Sequence, residues 1–392
     1  MKFGLESMTA LLAEIGNPHQ QFASIHIAGT NGKGSVTAMA ATAVRRAGHR
    51  TGRYTSPHLE RLEERFVIDD VEVGTGELKS ALADVRHGVD ALVARRILTA
   101  APTFFECCTA AAFELFRRAR VDVAVLEVGL GGRLDATNVV LPMVSAITTI
   151  DFDHQAQLGT TIEEIAGEKA GIIKAGVPVI IGRLPAAAER VVAARAATLD
   201  AQVIRACDPV TLRSIPRPRL PGAHQEDNAA VVATLLRTAG DHGLVVPEGA
   251  IAYGIEHVDW PGRLELFQRG GTEILLDAAH NPSGARALSA YLRDAGWIEP
   301  TLIFAAMGDK DIAGILGPLL GTVGRIICTT APTPRAARAA DLARLVDEMA
   351  PHHDVCSVED PEAALALACA SSARVIAAGS MFLIGPLRGI LR

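Results

Sequence analysis

The stretch Ser24-Ile25-His26-Ile27-Ala28-Gly29-Thr30-Asn31-Gly32-Lys33-Gly34-Ser35 decides how this chain is read. A short apolar run of strand length meets a turn containing Gly29, Gly32 and Gly34, and residues 36–47 then carry apolar side chains at helical spacing. Strand, glycine-rich loop and helix in that order make a phosphate site. The glycines let backbone N–H groups converge on anionic oxygens, the helix N-terminus adds positive potential, and Lys33 offers a point charge to the terminal phosphates. The spacing departs from the common Walker pattern, because the run before Gly32 is shorter and Gly34 stands between Lys33 and Ser35. A plain tight turn would need neither the lysine nor three glycines.

Around this loop the first half alternates strand candidates (24–28, 122–128, 144–150, 177–182) with helical stretches (36–47, 109–120, 161–175), the pattern of a parallel sheet covered by helices. Residues 207–221 are rich in proline and arginine and read as an irregular connection, after which a helix resumes near Asn228. Trp260-Pro261-Gly262 breaks both periods. The alternation restarts with strands at 273–276, 301–305, 325–329, 354–357 and 374–378 and helices at 284–295, 340–349 and 362–370. This predicts an α/β protein of two domains, residues 1–262 with a mainly parallel sheet and 263–392 as a smaller, Rossmann-like doubly wound domain.

A length of 392 residues suits two domains. A net charge of -6 argues against a nucleic-acid partner while leaving room for a local basic nucleotide pocket. No apolar run is long enough to span a membrane, and Met1 to Ile15 has no signal-peptide pattern, so a cytoplasmic protein with no membrane partner is expected; a monomer is also expected, though no feature of the sequence fixes the oligomeric state. The six cysteines show no C-x-x-C spacing and read as small core residues. Six lysines stand against 32 arginines. A lysine inside a motif therefore marks a place where a compact amine is wanted.

Three positions beyond the loop carry chemistry. Glu127 ends the apolar strand Val123-Ala124-Val125-Leu126, at the edge where open parallel sheets bind ligands, and suits a phosphate-bound magnesium. His154, in Asp151-Phe152-Asp153-His154, follows the next strand and is either a second metal-capable group or a loop brace. Lys169 falls on the apolar stripe of Ile162, Ile165, Ala166, Ile172 and Ile173. Its amine either snorkels to water or is desolvated and open to covalent chemistry.

Taken in order, these motifs resemble the folylpolyglutamate synthase and dihydrofolate synthase family of the Mur ligase superfamily. The resemblance rests on the loop 29–35, Thr55-Ser56-Pro57-His58-Leu59, Thr103-Phe104-Phe105-Glu106, the block LEVGLGGRLDATN at 126–138, and Asp153-His154 with Leu158-Gly159. It continues through Glu168-Lys169-Ala170-Gly171, His224-Gln225 with Asn228, Trp260-Pro261-Gly262-Arg263, the segment 277–282, Asp309-Lys310-Asp311 and Gly379-Ser380. It implies a Mur-ligase-like P-loop ATPase domain followed by the Rossmann-like ligase domain. It also implies ATP phosphates on Asn31, Gly32, Lys33, Gly34 and Ser35, magnesium on Ser56, Glu127 and His154, and a carbamate on Lys169. Asn228, Arg263 and Asp277 match ATP contacts, and His280 is placed near the reacting centre or nucleotide. The pterin-bearing substrate is expected along Thr103, Phe104, Phe105 and Glu106 and along Leu134, Asp135 and Ala136; the Phe105 ring either stacks on a flat heterocycle or belongs to the core.

The implied reaction is Mg-ATP-dependent ligation of L-glutamate to a pteroate or folate carboxylate. Against the family pattern, a first helix looks missing and the connection before His224 looks short, which touches peripheral substrate contacts and whether Met1 is the true start. The rival ligase, adding an amino acid to a nucleotide-linked cell-wall precursor, would need a further binding domain ahead of the phosphate loop. A rival of another class, a non-catalytic nucleotide-binding regulator, has no use for Ser56, Glu127, His154 and Lys169 together.

Overall fold

β1 (Ala23–Ala28) is buried over five of its six residues, as a strand in the interior of a parallel sheet must be. The computed structural model describes residues 4–98 and 100–392. It divides into two units. The first holds the chain through Asp151 together with Gln155–Arg219 and Gln225–Asp259; the second holds Phe152–His154, Leu220–His224 and Trp260–Arg392.

In the first unit β1 joins β2 (Thr51–Tyr54), β3 (Phe66–Ile68), β4 (Val71–Glu72), β5 (Val123–Glu127), β6 (Val144–Ile147), β7 (Val179–Ile181) and β8 (Val203–Arg205). The order is β4-β3-β2-β5-β1-β6-β7-β8, and only the β2–β3 and β3–β4 pairs are antiparallel. Ile27 stands opposite Glu127, and Ala28 opposite Ile147. Parallel register therefore brings the loop after β1, the carboxylate ending β5 and the chain leaving β6 to one sheet edge. Helices Glu6–Glu14, Thr75–Ala94 and Phe104–Arg118 contribute to a core with Tyr54, Ala124 and Leu126. Helices Ile162–Ala170 and Ala186–Thr198 contribute to another with Ala28, Ile147 and Ile181.

The second unit contains β9 (Glu265–Arg269), β10 (Thr272–Leu276), β11 (Thr301–Phe304), β12 (Arg325–Cys328), β13 (Asp354–Ser357) and β14 (Arg374–Ala378), in the order β13-β12-β11-β14-β10-β9. All pairs are parallel except β9–β10. That hairpin turns at Gly270 and Gly271, both at positive φ (57° and 87°), the combination a two-residue turn between twisted strands requires. The two parallel α/β layers match the expected fold class.

Several elements differ from the sequence reading. The expected helix 161–175 stops at Ala170, where the Glu168 carbonyl takes the Arg133 N–H (2.8 Å) and the Ile172 N–H turns to the Lys169 carbonyl instead (3.3 Å); Gly171 lies so close to Arg133 that a Cβ there would meet the Arg133 Cβ at 2.3 Å. Ile172 and Ile173 are buried beyond its end. The expected helix 109–120 starts earlier, at Phe104. The connection 207–221 contains the helix Pro209–Ser214, capped by Asp208 side-chain bonds to the N–H groups of Val210 and Thr211. Strands β2, β3, β4, β8 and β9 carry no legible period because each is short and mixed in composition, and ladder partners rather than alternation define them.

Candidate active site

The loop after β1 is fixed from below by the chain leaving β6. Thr149 accepts from the Thr30 N–H (2.8 Å) through its carbonyl and from the Asn31 N–H (2.9 Å) through its hydroxyl. Thr148 donates its hydroxyl to the Asn31 carbonyl at 2.6 Å. Gly32 is the N-cap of the helix Lys33–Arg46 and has φ +83°. A Cβ there would sit 2.3 Å from the Asn228 Oδ1, so glycine is demanded both by backbone and by space. Asn228 donates to Gln225 (2.9 Å), and Gln225 to the Ser35 hydroxyl (3.4 Å). These contacts link the helix His224–Asp241 to the loop's end. The arrangement presents a helix N-terminus with no acidic residue in its first turn, a ready anion site.

Two lysines converge on this loop. Lys33 donates to the carbonyls of Gly29 (3.0 Å) and Thr30 (3.1 Å). Lys169, 4% exposed, donates to the same Gly29 carbonyl at 2.9 Å. It reaches that point because Thr161 and Glu164 form a capping box that starts its helix, and because the Glu168 carbonyl accepts the Arg133 N–H at 2.8 Å. The snorkelling alternative is thereby replaced by a buried amine. At the end of β5, Glu127 is 5% exposed and its Oε2 accepts the Ser56 N–H at 3.1 Å, so two of the three residues expected at a metal are brought together.

The remaining expected residues belong to the second unit. Asp277, 8% exposed, accepts the N–H groups of Leu264 and Ala279, both at 2.9 Å, and burial pushes its carboxyl up in pKa against the pull of Arg263. The Arg263 guanidinium bonds the Gly262 carbonyl at 3.0 Å. His280 hydrogen-bonds the Ala278 carbonyl through Nδ1 at 2.8 Å, and burial lowers its pKa. His154 sits beside Asp153 and Lys310, to which motif spacing alone assigns no role. The signal was available for Lys310, since lysine is rare in this chain.

Comparison with known proteins resolves the family. Residues 262–384 match the Mur ligase, glutamate ligase domain. A Bacillus subtilis dihydrofolate synthase/folylpolyglutamate synthase is 33% identical over 87% of this chain and 84% of its own length. The chain belongs to the folylpolyglutamate synthase/dihydrofolate synthase family. It is also 37% identical to a Halobacterium salinarum probable bifunctional folylpolyglutamate synthase/dihydropteroate synthase over 99% of this chain, but spans only 49% of that relative. Among solved structures, Mycobacterium tuberculosis folylpolyglutamate synthase complexed with ADP and AMPPCP has a TM-score of 0.90 and 32% identity, covering 99% of this chain and 95% of its own. A Yersinia pestis bifunctional folylpolyglutamate synthase/dihydrofolate synthase complexed with AMPPNP and a manganese ion has a TM-score of 0.87 and 31% identity, covering 100% and 94%.

Within this family member, the segments expected at the pterin substrate are largely held by structural contacts. Thr103 and Glu106 form the capping box of their helix: the carboxylate takes the Thr103 N–H (2.7 Å) and hydroxyl (2.8 Å), and the hydroxyl takes the Glu106 N–H (3.2 Å). The T-x-x-E spacing before an apolar run was legible as a cap. Phe105 packs against Tyr54 (ring centroids 6.1 Å) and beneath Gly129, where a Cβ would meet its ring at 2.5 Å. Phe105 is half-buried, with one side packed on the core. Phe104 is the exposed ring, 61% accessible, with the Arg65 guanidinium 5.5 Å from its centroid. Asp135 is buried and accepts from Leu130 N–H, Thr137 N–H and Thr137 hydroxyl; Leu134 is half-buried and Ala136 buried.

Proposed function

We propose that this chain ligates L-glutamate to dihydropteroate, to tetrahydrofolate (poly)glutamate, or to both, forming an amide with release of ADP and phosphate. A carboxylate at neutral pH is a poor acyl donor, so the ATP γ-phosphate converts it to an acyl phosphate, which the glutamate α-amine attacks. The observation that carries this reading is the glycine loop on which two lysine amines meet at one carbonyl, in a chain of this family.

In this reading Asn31, Gly32, Lys33, Gly34, Ser35 and Asn228 of the first unit, and Arg263 and Asp277 of the second, serve the nucleotide. Ser56, Glu127 and His154 serve magnesium, and His280 serves the reacting centre. Ser56 and Glu127 offer the hard oxygens that magnesium prefers beside phosphate oxygens and water, and His154 would add a single imidazole nitrogen to that set. Among the described residues no group of three or more His, Cys, Asp or Glu forms a cage by itself. When bound, the metal neutralises charge on the transferring phosphoryl group. Lys33 adds charge of the same sign, and the loop's backbone, already held by Thr148 and Thr149, would orient the phosphates without reorganising.

Lys169 completes the reading as a carbamate. Two ammonium groups on one carbonyl would repel each other, whereas a carbamylated Lys169 would remove that repulsion and still keep an N–H for Gly29. The substrate segments 103–106 and 134–136 line the pterin side, with Phe104 offering the accessible aromatic face.

The test is turnover by the purified protein with L-glutamate and Mg-ATP, offering dihydropteroate and tetrahydrofolate separately and sizing products by mass. Glutamate-dependent ADP release with a product heavier by one glutamyl residue is expected for at least one acceptor. Nucleotide binding without any ligation product would sink the proposal and favour a regulator.

A further inference from the structure

We propose that Lys310 is a latch on His154, one that a divalent metal must displace before His154 can serve it. The inference rests on the reading of His154 as a metal ligand. Its basis lies within the second unit. Asp153 and Lys310 form an ion pair in which both side chains are more than nine-tenths buried. The Asp153 Oδ1 accepts from Lys310 and also from the His154 backbone N–H at 2.8 Å, while Oδ2 accepts from the Asn281 amide at 3.0 Å and faces the His280 Nε2 at 3.7 Å.

The Lys310 Nζ also lies 3.2 Å from the His154 Nε2. An ammonium has protons to give and no lone pair, so Nε2 must be the acceptor and the imidazole proton sits on Nδ1. The lone pair that a metal would need is therefore already engaged. His154 is held in the left-handed region at φ +50°, where a non-glycine residue stays only if its surroundings fix it. The same ion pair does so at both ends: Asp153 grips the backbone N–H and Lys310 the ring. A cation approaching Nε2 must take the lone pair and repels the ammonium, which keeps Asp153 as its remaining partner. Lys310 thus presents the ring in a defined orientation and raises the metal concentration at which His154 engages. It is a positioning residue.

The experiment measures the Kd of Mn2+ for the intact protein in the presence of AMPPNP, with circular dichroism to confirm folding. Lys310→Met, which removes donor and charge, is expected to tighten Mn2+ binding severalfold relative to the parent. In a His154→Ala background the effect of Lys310→Met is expected to shrink at least threefold, because coupling between the two side chains is what a latch means. Weaker or unchanged Mn2+ binding in folded Lys310→Met, or an undiminished effect without His154, would overturn the latch. If His154→Ala alone leaves Mn2+ affinity untouched, the assignment of His154 to the metal fails, and the latch with it.

Discussion

Lys169 shows how a single side chain changes meaning once its neighbours are known. On the sequence its amine could have reached water along an apolar helix face; in the fold it is buried and shares the Gly29 carbonyl with Lys33. The neutral amine is the form that reacts with carbon dioxide, and carbamylation would turn a cation near the phosphate loop into an anion. Lys169→Ala is accordingly expected to lose most turnover and to recover part of it with added formate or acetate, small carboxylates able to occupy the vacated volume. Lys169→Arg keeps a fixed cation and should not recover. Steady-state assays across a carboxylate series decide this, and full activity in Lys169→Arg would refute the carbamate.

At the level of elements, β1 carries its own acid sensitivity. His26 is fully buried in that strand, its Nε2 2.8 Å from the Thr137 hydroxyl, which in turn donates to Asp135. Burial, with a smaller push from Lys174, lowers its pKa to about 3, against about 6.5 for an unfolded histidine. Between those values the unfolded chain binds a proton that the folded chain refuses, so stability is fully present above pH about 6.5 and falls as pH drops toward 3, by up to about 1.4 kcal/mol per pH unit. His26→Gln keeps a donor for Thr137 without the titration. Urea unfolding at pH about 7.5 and about 5 should then show a gap between the two conditions smaller by roughly 1–2 kcal/mol than in the parent; an unchanged gap would place the acid sensitivity elsewhere. The network also explains why Asp135, expected at the substrate, has its oxygens engaged by Leu130 and Thr137.

For the whole molecule, nucleotide binding must appear as stability, because a ligand that binds only the folded protein shifts unfolding by mass action. AMPPNP with magnesium at about a hundred times its Kd should add about 2.7 kcal/mol, read as a raised thermal midpoint. Lys33→Ala removes one phosphate charge while leaving the loop's hydrogen bonds to Thr148 and Thr149 intact. It should fold normally, lose turnover, and at the same nucleotide concentration keep only about 1.4 kcal/mol of the added stability if affinity drops roughly tenfold. A full ligand-induced shift in active Lys33→Ala protein would remove Lys33 from the site.

What the sequence determined by itself was whatever is local. The phosphate loop was legible because its glycines, lysine and strand-to-helix setting lie within a dozen residues, and the parallel strands because buried β-runs between helical periods need no knowledge of their partners. Strand-end placement singled out Glu127 and His154 and an apolar helix stripe Lys169, and family resemblance added Ser56 and the roles of all four. What the tertiary structure alone decided depends on contacts distant along the chain. The helix carrying Lys169 ends where Gly171 meets Arg133, Phe105 packs under Gly129, and Asp135 is engaged within a network reaching back to His26. The ion pair of Asp153 with Lys310 joins residues 157 positions apart. No periodicity or spacing rule encodes such pairs, because a side chain's charge state and reach are set by the atoms packed around it, and those arrive only when the chain folds.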